Sequence, residues 1–241
     1  MMGWFDPWYF AFLAPGMLLA MWAQWRVHSA FQQASQVPAQ SGLAGAQAAH
    51  EVMRASDVAG VEIEPVEGFL SDHYDAAAKV LRLSPDVYNG RSLAALGVAA
   101  HEAGHAIQDA RRYSPLVMRN ALVPLAGIGS NLSWIIIMIG FVLMGVAGAP
   151  VLGKYVVMAG CAAFSMTVLF QLVNLPVEFD ASRRARIALV EGGLITQEED
   201  VTVKKVLDAA ALTYVAATLT AVLTLLYFLF RAGLLGGNNR D

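Results

Sequence analysis

Charged residues and cysteine are scarce in this 241-residue chain, and each scarcity excludes a class of protein. Asp, Glu, Lys and Arg make up 15% of the sequence and hydrophobic residues 57%, whereas soluble domains have about 25% and about 45–50%. The single cysteine, Cys161, cannot form a disulfide within the chain. No run of Lys or Arg is interleaved with aromatic residues, which argues against a nucleic-acid-binding protein. The composition indicates an integral membrane protein.

Four stretches are apolar enough to cross a hydrocarbon core, which requires about 20 residues of helix. They are Trp8–Trp25, Leu122–Ala147, Val151–Val173 and Ala209–Phe230. The first is the shortest, but no Lys or Arg precedes it and no small-residue cleavage site follows it. We therefore expect an uncleaved anchor rather than a signal peptide.

The polar segments between these stretches define the predicted domain organisation. The first anchor occupies residues 1–25, an α+β region 26–120, a transmembrane hairpin 121–173, a helical segment 174–208, the fourth span 209–230 and a polar tail 231–241. The fold class is a mainly α membrane protein with four transmembrane helices and a small α+β domain.

Local patterns predict the elements inside the polar segments. A β-hairpin is expected over Val61–Ser84, and a helix with Ser92 as its N-cap over the residues up to about Arg111. A further helix over residues 176–191 is expected to end at Gly192-Gly193. Thr196 and Glu199 have the spacing of a capping box that opens the last helix.

The stretch VAAHEAGHAIQDA, residues 98 to 110, contains two histidines at helical spacing. His101 and His105 lie on one face of a helix, so their imidazole nitrogens can bind one Zn²⁺ ion, while Glu102 can reach the water on that ion. A chance match to this H-E-x-x-H pattern in such a chain has a likelihood of about a few in a thousand. The motif therefore predicts a catalytic zinc site on a helix.

A catalytic zinc ion needs a third protein ligand besides an open position for water. We interpret the other histidines, His28, His50 and His73, as solvated or capping residues. Better candidates are Glu178 and Asp180 in LPVEFDASRRA, which project about 200° apart on a helix, so that only one can face the metal. The longer side chain favours Glu178 as the ligand. The neighbouring arginines are then expected to pair with Asp180 or to bind lipid headgroups.

The topology of the chain supports these acids. Two predicted spans separate His105 from Glu178, so both residues emerge on the same side of the membrane. The first 25 residues carry no Lys or Arg, residues 26–120 carry eight and residues 174–208 carry five. By the positive-inside rule we expect both polar segments in the cytoplasm and both termini outside.

Four segments resemble those of a known family: EGFLSDHYD, LRLSPDVYNGRS, AAHEAGHAIQ and LPVEFDASRRA. They look like the YugP-like bacterial membrane neutral zinc metallopeptidases. VEFDASRRA is more distantly similar to a segment of the HtpX-like and CAAX-prenyl membrane proteases, in which the glutamate is the third zinc ligand. The resemblance implies a zincin-like domain that holds one Zn²⁺ through His101, His105 and Glu178. Ser182 stands where those distant relatives have an aspartate.

The predicted activity is that of a membrane-embedded zinc metalloendopeptidase. Zinc lowers the pKa of its water to about 7, and Glu102 takes the proton and passes it to the leaving amine. Asp109 is either a partner for the second nitrogen of His105 or a solvated helix acid. A strand over Lys79–Ser84, if it lies at a sheet edge, would bind substrate by β-strand addition. Candidate donors to the tetrahedral intermediate are His73, Tyr74, Tyr88 and Tyr113.

Two other function classes remain open. A membrane scaffold that retains a structural metal site fits the same residues, except that Glu102 would then be idle. A metal transporter is disfavoured because the second to fourth spans contain no Asp, Glu or His. The expected partners are a peptide or protein substrate near the membrane and the lipid bilayer, without nucleic acid. The expected location is the cell membrane, as a multi-pass protein.

Overall fold

A computed structural model describes residues 6–145 and 148–234, apart from the side chain of Ile128. The predicted tail from residue 235 onward and the end of the second predicted span at residues 146 and 147 lie outside the described residues. The described chain is mostly helical. Its elements are α1 (Pro7–Ser35), α2 (Gly45–Ala55), β1 (Glu62–Pro65), β2 (His73–Asp75), β3 (Val80–Leu83), α3 (Pro85–Tyr88), α4 (Leu93–Ala110), α5 (Ser114–Gly145), α6 (Pro150–Glu191) and α7 (Gln197–Arg231).

Three helices of the described chain, α5, α6 and α7, are long and apolar enough to cross a membrane. They contain the second, third and fourth predicted spans. The predicted first span lies in α1, a continuous helix of 29 residues. That helix is less apolar because Trp, Tyr, Gln and Pro interrupt its aliphatic residues, so a fourth span remains a prediction.

The described residues divide into two compact units. The first comprises the described parts of Met1–Met21, Met118–Asn174 and Tyr214–Asp241, and the second comprises Trp22–Val117 and Leu175–Thr213. In the first unit α5 and α6 approach closely through glycines: a Cβ on Gly153 would lie 2.6 Å from the carbonyl oxygen of Gly140. Small residues allow such approaches between membrane helices.

Helix α4 lies at the centre of the second unit. The side chain of Ser92 caps its first turn by accepting a hydrogen bond of 3.2 Å from the Ala95 amide, which confirms the predicted start. Most of its residues are buried, including a series of alanines and glycines along its length. A helix that is apolar all round packs on several sides, and the small side chains allow its neighbours to come close.

The strands form a three-stranded sheet in the order β1-β3-β2. The hairpin predicted over Val61–Ser84 is confirmed only for β2 and β3, which pair antiparallel, whereas β1 pairs in parallel with β3, which was not expected. Leu81 and Leu83 of β3 are fully buried. Because β3 is the central strand, both of its edges are occupied, and the Lys79–Ser84 segment cannot bind a substrate strand as expected.

Two local predictions in the last third of the chain have different outcomes. Helix α6 runs without interruption for 42 residues and includes Pro176, so the predicted separate helix after the third span is wrong. It ends at Glu191, before Gly193 at a φ of 66°. The capping box is confirmed, because the amide of Thr196 donates to Glu199 Oε2 at 2.8 Å and the amide of Glu199 donates to Thr196 Oγ1 at 3.2 Å.

Candidate metal centre

His101 and His105 of α4 converge with Glu178 of α6 in the second unit. The ligand atoms offered by the three residues all lie within 4.8 Å of one another. Nε2 of His101 is 3.3 Å and Nε2 of His105 is 3.5 Å from Oε2 of Glu178. The three residues that the sequence suggested as ligands are therefore neighbours in the fold.

The two distances from Glu178 to the imidazoles suit a tetrahedral zinc ion. With zinc-to-ligand bonds of about 2.1 Å, two ligand atoms in tetrahedral geometry lie about 3.4 Å apart. Oε2 of Glu178 is buried and makes no hydrogen bond, and its polar neighbours are the two imidazole nitrogens. Two imidazoles and a carboxylate are a donor set that catalytic zinc sites use. The residues present fit the ion.

Glu178 lies beyond the apolar run of α6, and its charge state also suits a metal ligand. Burial raises the pKa of its carboxyl group, but the two adjacent imidazoles outweigh burial and hold that pKa well below its usual range. Burial lowers the pKa of His105, whereas Glu178 and Glu102 raise it, and the net shift is upward.

A close approach of α4 and α6 brings Glu178 next to the two histidines. A Cβ on Gly104 would lie 2.6 Å from the carbonyl oxygen of Ala181, a distance that Cβ atoms do not tolerate. Gly104 lies between the two histidines in sequence, and Ala181 is three residues beyond Glu178. The absence of a side chain at this glycine lets the glutamate approach both imidazoles.

The second nitrogen of His105 is held by Gln108, which the sequence analysis did not identify. Nδ1 of His105 lies 3.0 Å from Oε1 of Gln108. Of the two alternatives left open for Asp109, a partner of His105 or a solvated helix acid, the first is wrong. Asp109 instead accepts a hydrogen bond of 2.7 Å from the Tyr74 hydroxyl and forms an ion pair with Lys79. The available signal was the spacing of three residues between His105 and Gln108, which places them on one helix face.

The second nitrogen of His101 contacts Ser182. Nδ1 of the imidazole lies 3.1 Å from the serine Oγ. Ser182, which stands where the distant relatives have an aspartate, therefore contacts a candidate ligand. The sequence alone assigned no role to this position.

Asp180 lies away from the three-residue group and is also buried. One of its carboxylate oxygens accepts a hydrogen bond of 2.9 Å from Gln108 Nε2. The same carboxylate forms ion pairs with Arg183 and Arg184, as expected if Glu178 rather than Asp180 faces the histidines.

Glu102 follows His101 in α4 and is 8% exposed. In the part of the chain that the structure describes, its carboxylate has no hydrogen bond or ion pair, and its charge contributes to the raised pKa of His105. This position is consistent with a carboxylate that can act on a water beside the histidines.

The remaining candidates lie outside the group. Each of the other histidines is exposed: His28 contacts Gln32 at 2.8 Å, His50 lies 3.7 Å from Glu51, and His73 contacts the Ser71 carbonyl at 2.8 Å. Burial and the Asp109 carboxylate raise the pKa of Tyr74. Of the other proposed donors, Tyr88 packs against the core and the Tyr113 ring lies 5.5 Å from the Arg184 guanidinium.

Comparison with known proteins agrees with this geometry. The sequence profile of the family described as "Putative neutral zinc metallopeptidase" matches residues 9–233. The chain belongs to this family. A relative in Bacillus subtilis (strain 168), described as "Putative membrane protease YugP", is 42% identical over 220 residues, which cover 91% of this chain and 94% of the relative. No solved structure matches the chain.

Membership of this metallopeptidase family supports the resemblance noted in the sequence. The match extends over α1 and the three apolar helices as well as the H-E-x-x-H helix. The family therefore covers both compact units rather than the α4 region alone, and its description as a peptidase indicates a hydrolase.

Proposed function

We propose that this protein is a membrane-embedded zinc metalloendopeptidase that holds one Zn²⁺ ion through His101, His105 and Glu178. The observation that carries the proposal is the convergence of three ligand atoms within 4.8 Å of one another, with the buried Oε2 of Glu178 at 3.3 and 3.5 Å from the two imidazoles. Family membership and the name of the Bacillus relative support it independently.

The chemistry follows from the residues that surround this group. When bound, zinc supplies an acidified water and a Lewis acid for the scissile carbonyl. Glu102 accepts the proton of the attacking water and delivers it to the nitrogen of the leaving amine, which balances the hydrolysis. His101 and His105 are oriented by Ser182 and Gln108 through their second nitrogens, as ligating histidines usually are.

The apolar helices support a location of this activity at a membrane. We propose a multi-pass protein of the cell membrane in which α1 is a fourth span beside α5, α6 and α7. The Lys and Arg content of residues 26–120 and 174–208 favours a cytoplasmic location of the second unit. The substrate would be a peptide or protein that reaches the membrane surface, bound by a zincin-like domain.

The decisive experiment measures zinc content and cleavage of casein by detergent-purified wild-type protein and Glu102→Gln. The substitution is nearly isosteric and removes no proposed ligand, so zinc should remain while hydrolysis falls by on the order of 10²–10⁴. Glu67→Gln, an exposed acid of the same unit, is the matched control and should retain full activity.

Other outcomes of this experiment would contradict the proposal. Equal cleavage by Glu102→Gln would exclude the assigned base. Zinc at full occupancy without any cleavage by wild-type protein would favour a scaffold, and zinc flux into liposomes carrying the protein would favour a transporter.

A further inference from the structure

Gln108 is a fully buried amide in contact with both helices that supply the candidate ligands. It is 0% exposed, and each end of its amide has a partner. Nε2 donates to the Val177 carbonyl at 2.8 Å and to Asp180 Oδ2 at 2.9 Å. Oε1 lies 3.0 Å from Nδ1 of His105.

These partners allow only one orientation of the amide. A backbone carbonyl and an ionised carboxylate can only accept hydrogen bonds, so the NH₂ group must face Val177 and Asp180. If the amide were rotated by 180°, its oxygen would face two acceptors in a buried environment, and two donors would lose their partners. Oε1 of Gln108 must therefore face His105.

The fixed amide in turn favours one tautomer of His105. Oε1 has no proton to donate, so Nδ1 of the neutral imidazole must carry the hydrogen to make this hydrogen bond. A metal ion at the site needs the lone pair of Nε2, the nitrogen that lies 3.5 Å from Glu178 Oε2, so a hydrogen on Nδ1 suits both Gln108 and the ion. A neutral imidazole binds a metal through its unprotonated nitrogen.

Asp180 helps to fix the orientation of the Gln108 amide. Arg183 and Arg184 both pair with its carboxylate, so it is held as an acceptor for the Gln108 amide. The contacts run in sequence from Arg184 to Asp180, Gln108 and His105. They link a charge pair on α6 to a ligand candidate on α4.

We infer that Gln108, oriented by Asp180, is a positioning residue that keeps His105 in the tautomer required for metal binding. The inference rests on the proposed function, because without an ion Nε2 of His105 faces the Glu178 carboxylate, a second acceptor, and Gln108 alone does not select the tautomer. His101 differs, because the hydroxyl of Ser182 can donate or accept and suits either tautomer.

The first test measures the tautomer directly. Protein labelled with ¹⁵N-histidine is loaded with Zn²⁺ and studied by NMR, and the His105 resonances are assigned with His105→Asn. We expect a proton on Nδ1 of His105 and coordination through Nε2 in the wild type. A wild-type His105 that keeps its proton on Nε2 and binds zinc through Nδ1 would overturn the inference, whether or not the protein proves to be a peptidase.

The second test measures metal affinity with Co²⁺, whose absorption bands report tetrahedral coordination. Loss of a partner that orients a ligating histidine typically weakens binding about 10- to 100-fold, and we expect this for Gln108→Met. Asp180→Asn, whose amide can donate as well as accept, should fall between the wild type and Gln108→Met. The matched control is Gln36→Met, an exposed glutamine of the same unit.

The outcomes separate the inference from the proposed function. Wild-type protein that binds neither Zn²⁺ nor Co²⁺ would contradict both the metal site and the inference, whereas metal binding without peptide cleavage would contradict only the proposed activity. Wild-type binding with equal affinity in Gln108→Met and Asp180→Asn would overturn the positioning role alone. Should Gln108→Met fail to fold, judged by circular dichroism, the Asp180→Asn affinity and tautomer decide.

Discussion

Gly104 of the H-E-x-x-H helix packs directly against the backbone of Ala181 in α6. The Ala181 carbonyl oxygen would lie 2.6 Å from a Cβ added to Gly104. The distance between α4 and α6 at the candidate site thus depends on the absence of a side chain at Gly104.

Gly104→Ala should separate the two helices and weaken the site. Overpacking of a tight contact costs about 1–3 kcal/mol, and a shift of α6 would move Glu178 away from both histidines. We expect a lower melting temperature in detergent and substoichiometric zinc. Gly127→Ala is the control, because nothing lies within 4 Å of a Cβ at that helical glycine, and it should be neutral or stabilise by up to about 1 kcal/mol. Normal zinc content in Gly104→Ala would show that the contact does not position the site.

Glu178→Ala should abolish zinc binding, whereas Glu191→Ala should not. Both acids lie on α6, but Glu178 is buried beside the imidazoles and Glu191 is exposed at the end of the helix. Metal analysis of the purified variants, together with casein cleavage, tests the assignment. Zinc loss in Asp180→Ala with retention in Glu178→Ala would transfer the ligand role to Asp180.

Ser182→Asp should bind zinc at least as tightly as the wild type, and Ser182→Ala more weakly by about 10-fold or more. An aspartate can only accept, so it would fix the proton on Nδ1 of His101 and free Nε2, whereas alanine removes the partner altogether. Competition with a chromophoric chelator measures both affinities. Ser41→Asp, at an exposed position, controls for added charge. Equal affinities for Ser182→Ala and the wild type would exclude a role of this contact in metal binding.

A cysteine at position 64 should be inaccessible from outside intact cells if the second unit is cytoplasmic. Glu64 is exposed on β1, and Cys161→Ala removes the single native cysteine. A membrane-impermeant maleimide should label Glu64→Cys only after permeabilisation, and epitope tags on either terminus should be accessible in intact cells. Labelling of position 64 in intact cells, with both tags protected, would reverse the topology.

Features that depend on neighbouring residues could be predicted from the sequence. The pairing of His101 with His105 follows from the helical repeat, and the caps at Ser92 and at Thr196 with Glu199 close within one turn. The three apolar helices follow from composition because a spanning helix satisfies its own backbone hydrogen bonds. None of these features requires knowledge of where a distant segment lies.

The pairing of the strands in the sheet could not be predicted in this way. Short strands over Val61–Ser84 were recognisable, but a hairpin was expected because sequence neighbours most often pair. The parallel pairing of β1 with β3 accompanies the burial of Leu81 and Leu83 in the hydrophobic core of the second unit. Such packing cannot be predicted from the alternation of polar and apolar residues along a strand.

Tertiary structure alone decided which side chains surround the two histidines. Gln108 and Asp180 are separated by 72 residues, and His101 and Ser182 by 81, so the register of α4 against α6 determines both contacts. That register depends on the fit of Gly104 against Ala181 and on the rotation of α6, which turns Glu178 toward the imidazoles and Asp180 toward its arginines. A helical repeat specifies which residues share a face of one helix, but only packing specifies what that face meets.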